Sequence, residues 1–157
     1  MGRTRWLLAG TAVTAIGAVG VALVSQHVYD QMPCPWCVLQ RLIFLLVAAG
    51  ALLGLLWTSM LGRLLGAGIA LAMAGAGIAT ALWQHFVAAA SASCNLTFAD
   101  RLMGATGLDR AWPEVFAAYA SCADAKVDLL HVPYEFWSLA LFVLLGGVML
   151  MVLRGRD

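Results

Sequence analysis

Two cysteines, Cys34 and Cys37, stand close together between two long apolar stretches of the chain. Pro35 lies between them, and proline is favoured in the first turn of a helix, where its missing N–H costs nothing. If a helix begins there, Cys34 lies at its N-cap, and Cys37 and Arg41 follow on the same face. The N-terminal end of a helix and a nearby guanidinium both favour the thiolate, which is the reactive form of cysteine. The motif therefore indicates redox chemistry.

Two other uses of this cysteine pair remain open, namely half of a zinc site and a static structural disulfide. A zinc site of this kind needs a second closely spaced pair, whereas Cys94 and Cys122 lie far apart in the sequence. A c-type haem attachment is excluded because Val38, and not histidine, follows Cys37. We therefore expect redox-active cysteines and no metal site.

The composition is that of a membrane protein. Of the 157 residues, 63% are apolar and 11% are charged, whereas about 25% are charged in a typical soluble domain. Four long apolar runs each approach the roughly 20 residues that a helix needs to cross a bilayer. Within lipid only helices and closed barrels satisfy their own backbone. The sequence therefore predicts an all-α bundle of four transmembrane helices in one domain (1–157), at about residues 6–24, 38–61, 64–86 and 134–153.

The first apolar run follows Arg3 and Arg5 and so has the charged start of a secretory signal peptide. Its apolar core is longer than the about 7–15 residues of such a signal, and no clear Ala-x-Ala cleavage site follows it. We therefore expect it to remain as the first helix of the mature protein.

The distribution of charge predicts the orientation of the helices. With four spans, both termini share a side with the turn between the second and third helices. That side carries most of the arginines: Arg3, Arg5, Arg63, Arg154 and Arg156. The positive-inside rule places it in the cytoplasm. The four cysteines then face the opposite side, which in a bacterium is the oxidising periplasm, where disulfides persist.

Outer loops are expected at about residues 25–37 and 87–133, and the second loop holds Cys94 and Cys122. A loop of that length without structure is unusual unless it is functional. Four apolar residues in it follow helical spacing: Trp112, Val115, Phe116 and Tyr119. With Pro113 in the first turn, they predict a short amphipathic helix on the membrane surface. Such a helix would hold the loop near the first cysteine pair.

Arg41 and His85 are the further site candidates. An arginine near the start of a span is costly unless it pairs or snorkels to the interface, so Arg41 is either functional or a snorkelling residue. His85, at the outer end of the third run, either contacts a cofactor headgroup or simply lies in the headgroup zone.

Small residues recur at four-residue spacing in the first two spans, and we interpret them as helix-packing positions. The second span carries the pair Gly50 and Gly54. The first span carries Gly10, Thr14, Ala18 and Ala22.

Two cysteine pairs that face an oxidising compartment suggest a relay, because disulfide exchange passes through a mixed disulfide between an attacking thiolate and an accessible disulfide. The loop pair can meet a soluble protein, and the pair at the bilayer surface can meet a lipid-soluble acceptor. No NAD or flavin motif is found, so a membrane quinone is the expected acceptor. Cys37 would supply the nucleophile, and Arg41 a cation for the developing charge. Two alternatives remain: a non-catalytic protein with fixed disulfides or a metal–thiolate site, and a quinol-driven reductase.

Taken together, these features resemble the bacterial disulfide bond formation protein B (DsbB) family of quinone-dependent thiol oxidases. The resemblance covers nearly the whole chain and is carried by Cys34-x-x-Cys37-x-x-x-Arg41, Gln84-His85, Cys94, Pro113-x-Val115-Phe116, Cys122 and Pro133. It implies a protein-disulfide oxidoreductase of the bacterial inner membrane that uses ubiquinone or menaquinone. The implied partner is a periplasmic thiol oxidase of the DsbA type, and no nucleic acid is expected.

The resemblance also implies a role for each cysteine. Cys94 forms the mixed disulfide with the partner protein, and Cys122 is the partner of Cys94 in the loop disulfide. Cys34 accepts electrons from that pair, and Cys37 passes them to the quinone beside Arg41.

Overall fold

The computed structural model describes residues 2–90, 97–126 and 128–155. Its helices are α1 (Gly2–Val28), α2 (Pro35–Leu56), α3 (Met60–Phe86), α4 (Phe98–Thr106), α5 (Leu108–Ala111), α6 (Pro113–Phe116) and α7 (Tyr134–Arg154). The four long helices are each apolar enough over a sufficient length to cross a membrane. The predicted all-α membrane protein with four spans is therefore confirmed.

The start of α2 follows from its local sequence. Pro35 occupies the first turn, and Cys34 is the N-cap with an extended backbone. The Sγ of Cys34 accepts a hydrogen bond from the backbone N–H of Cys37 at 3.3 Å, which satisfies one of the free N–H groups at the helix start. The redox motif is thus built into the N-terminal cap of a helix. We call this end of the four-helix bundle the cysteine end.

The turn between α2 and α3 lies earlier than the sequence predicted. α2 ends at Leu56, not near residue 61, and α3 begins at Met60. Trp57 is the C-cap of α2. Ser59 is the N-cap of α3, because its Oγ accepts the backbone N–H of Gly62 at 3.1 Å. The apolar residues around this turn continue the hydropathy of both spans, so hydropathy alone does not reveal it.

The first span is longer than its apolar run. α1 extends from Gly2 to Val28, whereas residues 6–24 were expected. Polar residues can continue a helix into the headgroup zone, because the helical backbone still satisfies its own hydrogen bonds there.

α2 and α3 pack closely because glycines bring their backbones together. A Cβ placed on Gly66 would lie 2.4 Å from the backbone nitrogen of Gly54 and 2.6 Å from the carbonyl oxygen of Gly50. The prediction that Gly50 and Gly54 are packing positions is therefore confirmed. α2 also packs along α1, and α3 along α7, whereas α1 and α7 touch only lightly.

The long loop between α3 and α7 is folded over the cysteine end. α4 carries a capping box between Thr97 and Asp100, a signal that the sequence analysis overlooked. The ring of Trp36 in α2 contacts Phe98 of α4, with ring centroids 6.3 Å apart. The loop closes with a small hairpin in which residues 128–129 pair with 132–133.

The predicted amphipathic helix of the loop exists but is only one turn long. It spans Pro113–Phe116 and buries Phe116. The backbone becomes extended at Ala117, so Tyr119 lies beyond the helix that its spacing had suggested. The short length frees the following residues for contacts with the start of α2.

We expect Gly66→Ala to lower the stability of the folded protein by about 1–3 kcal/mol, the usual cost of overpacking. The added methyl group meets backbone atoms of α2, which cannot rotate away as a side chain can. The matched control is Gly68→Ala on the same helix, where no atom lies within 4 Å of the new Cβ. The measurement is the thermal unfolding midpoint in detergent. Equal midpoints for the two variants would contradict the close approach of α2 and α3.

Candidate functional site

The Cys34–Cys37 pair places one sulfur inside the protein and the other at a cavity. The two Sγ atoms are 2.8 Å apart. Cys34 is fully buried, with 0% exposure, whereas Cys37 is half-buried and lines the cavity described below. Both are free thiols. The two cysteines are therefore close enough to form a disulfide, but only Cys37 faces space that a small molecule can enter.

A third cysteine reaches the same place from the long loop. Cys122 is a free thiol with 9% exposure. Its side chain interacts with that of Cys34, and this interaction is the main cause that raises the pKa of the Cys34 thiol. A hydrogen bond with Cys37 and burial act in the same direction. Cys34 therefore retains its proton at neutral pH while it lies between two other sulfurs.

The backbone explains how Cys122 reaches this position. The N–H groups of Tyr119 and Ala120 both donate to the carbonyl oxygen of Pro33, at 3.0 Å and 3.3 Å. Pro33 directly precedes Cys34. The two segments that carry Cys122 and Cys34 are thus joined at the backbone a few residues before each sulfur.

Cys94, the fourth predicted redox cysteine, lies outside the described residues. Its pairing with Cys122 therefore stays a prediction.

Arg41 is buried, and its guanidinium is satisfied by neutral groups. It is only 5% exposed, so it does not snorkel to the interface as the alternative interpretation required. One of its terminal nitrogens donates to Gln26 Oε1 at 2.7 Å and to the carbonyl oxygen of Val115 at 2.9 Å. The other donates to the carbonyl oxygen of Ala22 at 3.4 Å. Within the described ranges no carboxylate forms an ion pair with Arg41, so its positive charge is uncompensated there.

These hydrogen bonds make Arg41 the junction of three helices. Gln26 lies near the end of α1, and Val115 lies in α6 of the loop. Gln26 also donates to the carbonyl oxygen of Glu114 at 3.3 Å. The end of α1 and the loop helix are therefore both fixed to α2 one turn below Cys37.

Two glutamines extend the polar network to the redox pair. Gln40 Nε2 donates to Gln84 Oε1 at 2.7 Å, and Gln84 Nε2 donates to Cys37 Sγ at 3.3 Å. Both side chains are buried between α2 and α3. The sequence analysis assigned no role to Gln26, Gln40 or Gln84. For Gln40 and Gln84 the available signal was an uncharged amide inside an apolar span, where a polar group needs a partner.

A cavity of about 360 Å³ lies at the cysteine end. Cys37, Arg41 and Gln84 supply polar groups to its wall, and most of the remaining wall is apolar. It lies where α1 and α7 fail to pack against each other.

The small residues of α1 mostly create this cavity. Thr14, Ala18 and Ala22 line it, and nothing lies within 4 Å of a Cβ placed on Gly10. The interpretation of this stripe as a close helix contact was therefore wrong. Small side chains leave space between helices as readily as they allow close packing.

His85 contacts a residue that lines the cavity. Its Nδ1 lies 2.8 Å from Glu135 Oε1, and Glu135, but not His85, lines the cavity. Glu135 is buried and was missed by the sequence analysis, because it follows Pro133 and Tyr134 at the boundary of the last span. The proposed contact of His85 with a cofactor stays a prediction.

The described part of the chain holds no group of three or more His, Cys, Asp or Glu side chains arranged to bind a metal ion.

Comparison with known proteins gives one consistent result. Residues 3–152 match the family described as disulfide bond formation protein DsbB. A disulfide bond formation protein B from Nitrosospira multiformis is 31% identical over 90% of this chain and 86% of the relative. One from Ralstonia nicotianae is 32% identical over 93% of this chain and 91% of the relative. One from Polaromonas naphthalenivorans is 32% identical over 90% of this chain and 86% of the relative.

We expect Tyr119→Pro to expose Cys122, because proline removes the N–H that donates to Pro33. The lost hydrogen bond is worth about 1 kcal/mol. The rate at which a maleimide labels Cys122 should therefore rise about fivefold. Peptide mapping by mass spectrometry measures labelling at each cysteine separately. Tyr119→Phe keeps the N–H and serves as the control. An unchanged rate in the proline variant would show that this backbone contact does not hold the loop.

Proposed function

Because the chain belongs to the disulfide bond formation protein DsbB family, we propose that it reoxidises a periplasmic dithiol oxidase of the DsbA type and passes the electrons to a membrane quinone. The observation that carries this proposal is the meeting of Cys122 with Cys34, beside a Cys37 that faces a membrane-level cavity. Cys122 of the loop thus lies beside the buried Cys34, whereas Cys37, the other member of that pair, is open to a small molecule.

The first half of the proposed reaction is disulfide exchange with the partner. A thiolate of the reduced partner attacks Cys94 of a Cys94–Cys122 disulfide, and Cys122 leaves as the thiolate. Cys122 then attacks Cys34 of a Cys34–Cys37 disulfide, and Cys37 leaves as the thiolate. The contact between Cys122 and Cys34 supports this second attack, because it places the nucleophile beside the sulfur to be attacked.

Two further exchanges release the oxidised partner and leave the electrons on Cys34 and Cys37. The second thiol of the partner attacks its own mixed disulfide, which releases the oxidised partner and leaves Cys94 reduced. Cys94 then attacks Cys122 and restores the loop disulfide, so that Cys34 and Cys37 together hold the two electrons and the protons of the original dithiol.

The residues around the cavity fit a quinone. Its volume of about 360 Å³ lies within the usual range of small-molecule sites, roughly 300–1,000 Å³. Phe44, Trp137 and Leu141 give it an apolar wall, which suits a hydrophobic ring and tail. The guanidinium of Arg41 suits a ligand that becomes negatively charged, because a buried charge without a counter-charge is costly. Ubiquinone or menaquinone bound there would supply a two-electron acceptor.

The chain's own groups prepare the oxidation of the dithiol. Closing the Cys34–Cys37 disulfide releases two electrons and two protons, and only Cys37 reaches the cavity. The Gln84 N–H that donates to Cys37 Sγ fixes the direction of that sulfur. Arg41 stabilises negative charge in the cavity as electrons arrive.

The packing of the bundle supports entry from the bilayer. α1 and α7 touch only lightly, and Ala18 of α1 and Leu141 of α7 both line the cavity. A lipid-soluble acceptor can therefore approach between these two helices without crossing water.

We further propose that the protein lies in the bacterial inner membrane with both termini in the cytoplasm and the cysteines in the periplasm. The excess of arginine at the terminal end of the bundle supports this orientation. A periplasmic site would place both cysteine pairs where oxidised thiols persist.

We expect Cys37→Ala to abolish quinone reduction, because neither Cys34 nor Cys122, the other two cysteines of the described residues, lines the cavity. The assay adds a reduced DsbA-type protein to the purified variant and follows the ultraviolet absorbance of ubiquinone. Gly68→Ala, remote from the cysteine end, serves as the control for expression and assembly. Normal turnover by the alanine variant would remove Cys37 from the mechanism and with it the proposed path of the electrons.

We expect Cys122→Ser to trap the partner at Cys94. The probe is a DsbA-type protein that keeps only its attacking cysteine, activated as a mixed disulfide with thionitrobenzoate. A covalent complex should form on non-reducing gels, since Cys122 and the second cysteine of the partner, which would otherwise resolve it, are both absent.

The matched control for the trap is Cys94→Ser, in which the remaining loop cysteine is buried beside Cys34 and should react slowly. Equal yields from the two variants, or no complex with Cys122→Ser, would favour the alternative of fixed, non-catalytic disulfides.

A further inference from the structure

A second cavity lies at the other end of the bundle from the cysteines. It has a volume of about 260 Å³ and is lined by Arg3, Thr4, Leu7, Met151, Arg154 and Gly155. It is formed where α1 begins and α7 ends. Nothing in the proposed thiol chemistry uses it.

Two arginines from different helices meet at this cavity. Arg3 lies in the first turn of α1 and Arg154 is the last residue of α7. No acidic residue is among those that line the cavity, and neither guanidinium has an ion pair within residues 2–90, 97–126 and 128–155. Both arginines are exposed, so solvent weakens their mutual repulsion, and an anion held between them would give each guanidinium a charged hydrogen-bond partner.

The walls of the cavity indicate what kind of anion fits. Leu7 and Met151 lie about one helical turn deeper along α1 and α7 than the two arginines, and they begin the apolar part of each span. The site therefore has guanidinium groups at the level where the spans end and hydrocarbon walls below them. A phospholipid has the same order of groups, with a phosphate above acyl chains.

We propose that this cavity binds the phosphate headgroup of an anionic phospholipid. Arg3 and Arg154 donate to the phosphate oxygens, for which the planar fork of guanidinium donors is well suited. Leu7 and Met151 contact the first methylene groups of an acyl chain. The bound lipid joins the first and last helices at the end of the bundle opposite the redox site, and basic pockets between spans are a known mode of lipid binding.

The test uses the purified full-length chain in dodecyl maltoside with dioleoyl phosphatidylglycerol or dioleoyl phosphatidylcholine added. Native mass spectrometry counts retained lipids, and a titration followed by the thermal unfolding midpoint gives the apparent affinity. We expect phosphatidylglycerol to bind more tightly than phosphatidylcholine. Each of Arg3→Gln and Arg154→Gln should weaken the binding of phosphatidylglycerol about fivefold, since an arginine near an anionic headgroup contributes about that factor to the affinity.

Three controls make the outcome decisive. Arg5→Gln removes an exposed arginine of the same helix that does not line the cavity, and it should leave the affinity unchanged. Arg3→Lys with Arg154→Lys keeps the charge and should retain most of the binding, which separates a binding defect from misfolding. Inorganic phosphate alone should not reproduce the rise in the unfolding midpoint.

Several results would overturn the proposal. Equal affinity for the two lipids would remove the role of headgroup charge. An equal loss with Arg5→Gln would show a general effect of charge at this end of the protein. A full stabilisation by inorganic phosphate would identify an ion site instead of a lipid site.

Discussion

The position of one buried cation determines how the cysteine end is assembled. Arg41 lies inside an apolar helix and has no ion-pair partner among the described residues. It is tolerated because carbonyl and amide oxygens from α1 and from the loop surround its guanidinium. A buried charge left without such groups would cost several kcal/mol. The requirement to solvate Arg41 with protein groups therefore holds the end of α1 and helix α6 against α2.

The bundle combines one tight helix contact with one loose contact, and the two serve different purposes. Glycines bring α2 and α3 into backbone contact, which fixes the two helices against each other. Small residues of α1 instead leave the space of the cavity beside α7. The same residue type thus has opposite effects in the two places.

Local features of this protein could be predicted from the sequence, and long-range ones could not. Hydropathy was enough for the four spans, and Pro35 after Cys34 was enough for the start of α2. The turn between α2 and α3 lay earlier than hydropathy suggested, because the single hydroxyl of Ser59 that caps α3 leaves little trace among apolar neighbours. The bond from Arg41 to the carbonyl of Val115 and the bonds from the loop to Pro33 involve main-chain acceptors. Every residue carries a backbone carbonyl, so the residue types in the sequence do not indicate these contacts.

The Sγ of Cys34 makes two contacts. It caps α2 by accepting the N–H of Cys37, and it lies beside the sulfur of Cys122. A sulfur bonded covalently to another sulfur is a poorer hydrogen-bond acceptor than a free one, and its direction is fixed by the new bond. We therefore expect the first turn of the helix to loosen when the proposed exchange joins Cys34 to Cys122, and to tighten when that bond is released. The bonding of one sulfur would thus control how well the first turn of α2 is ordered, at the point where Cys37 faces the cavity.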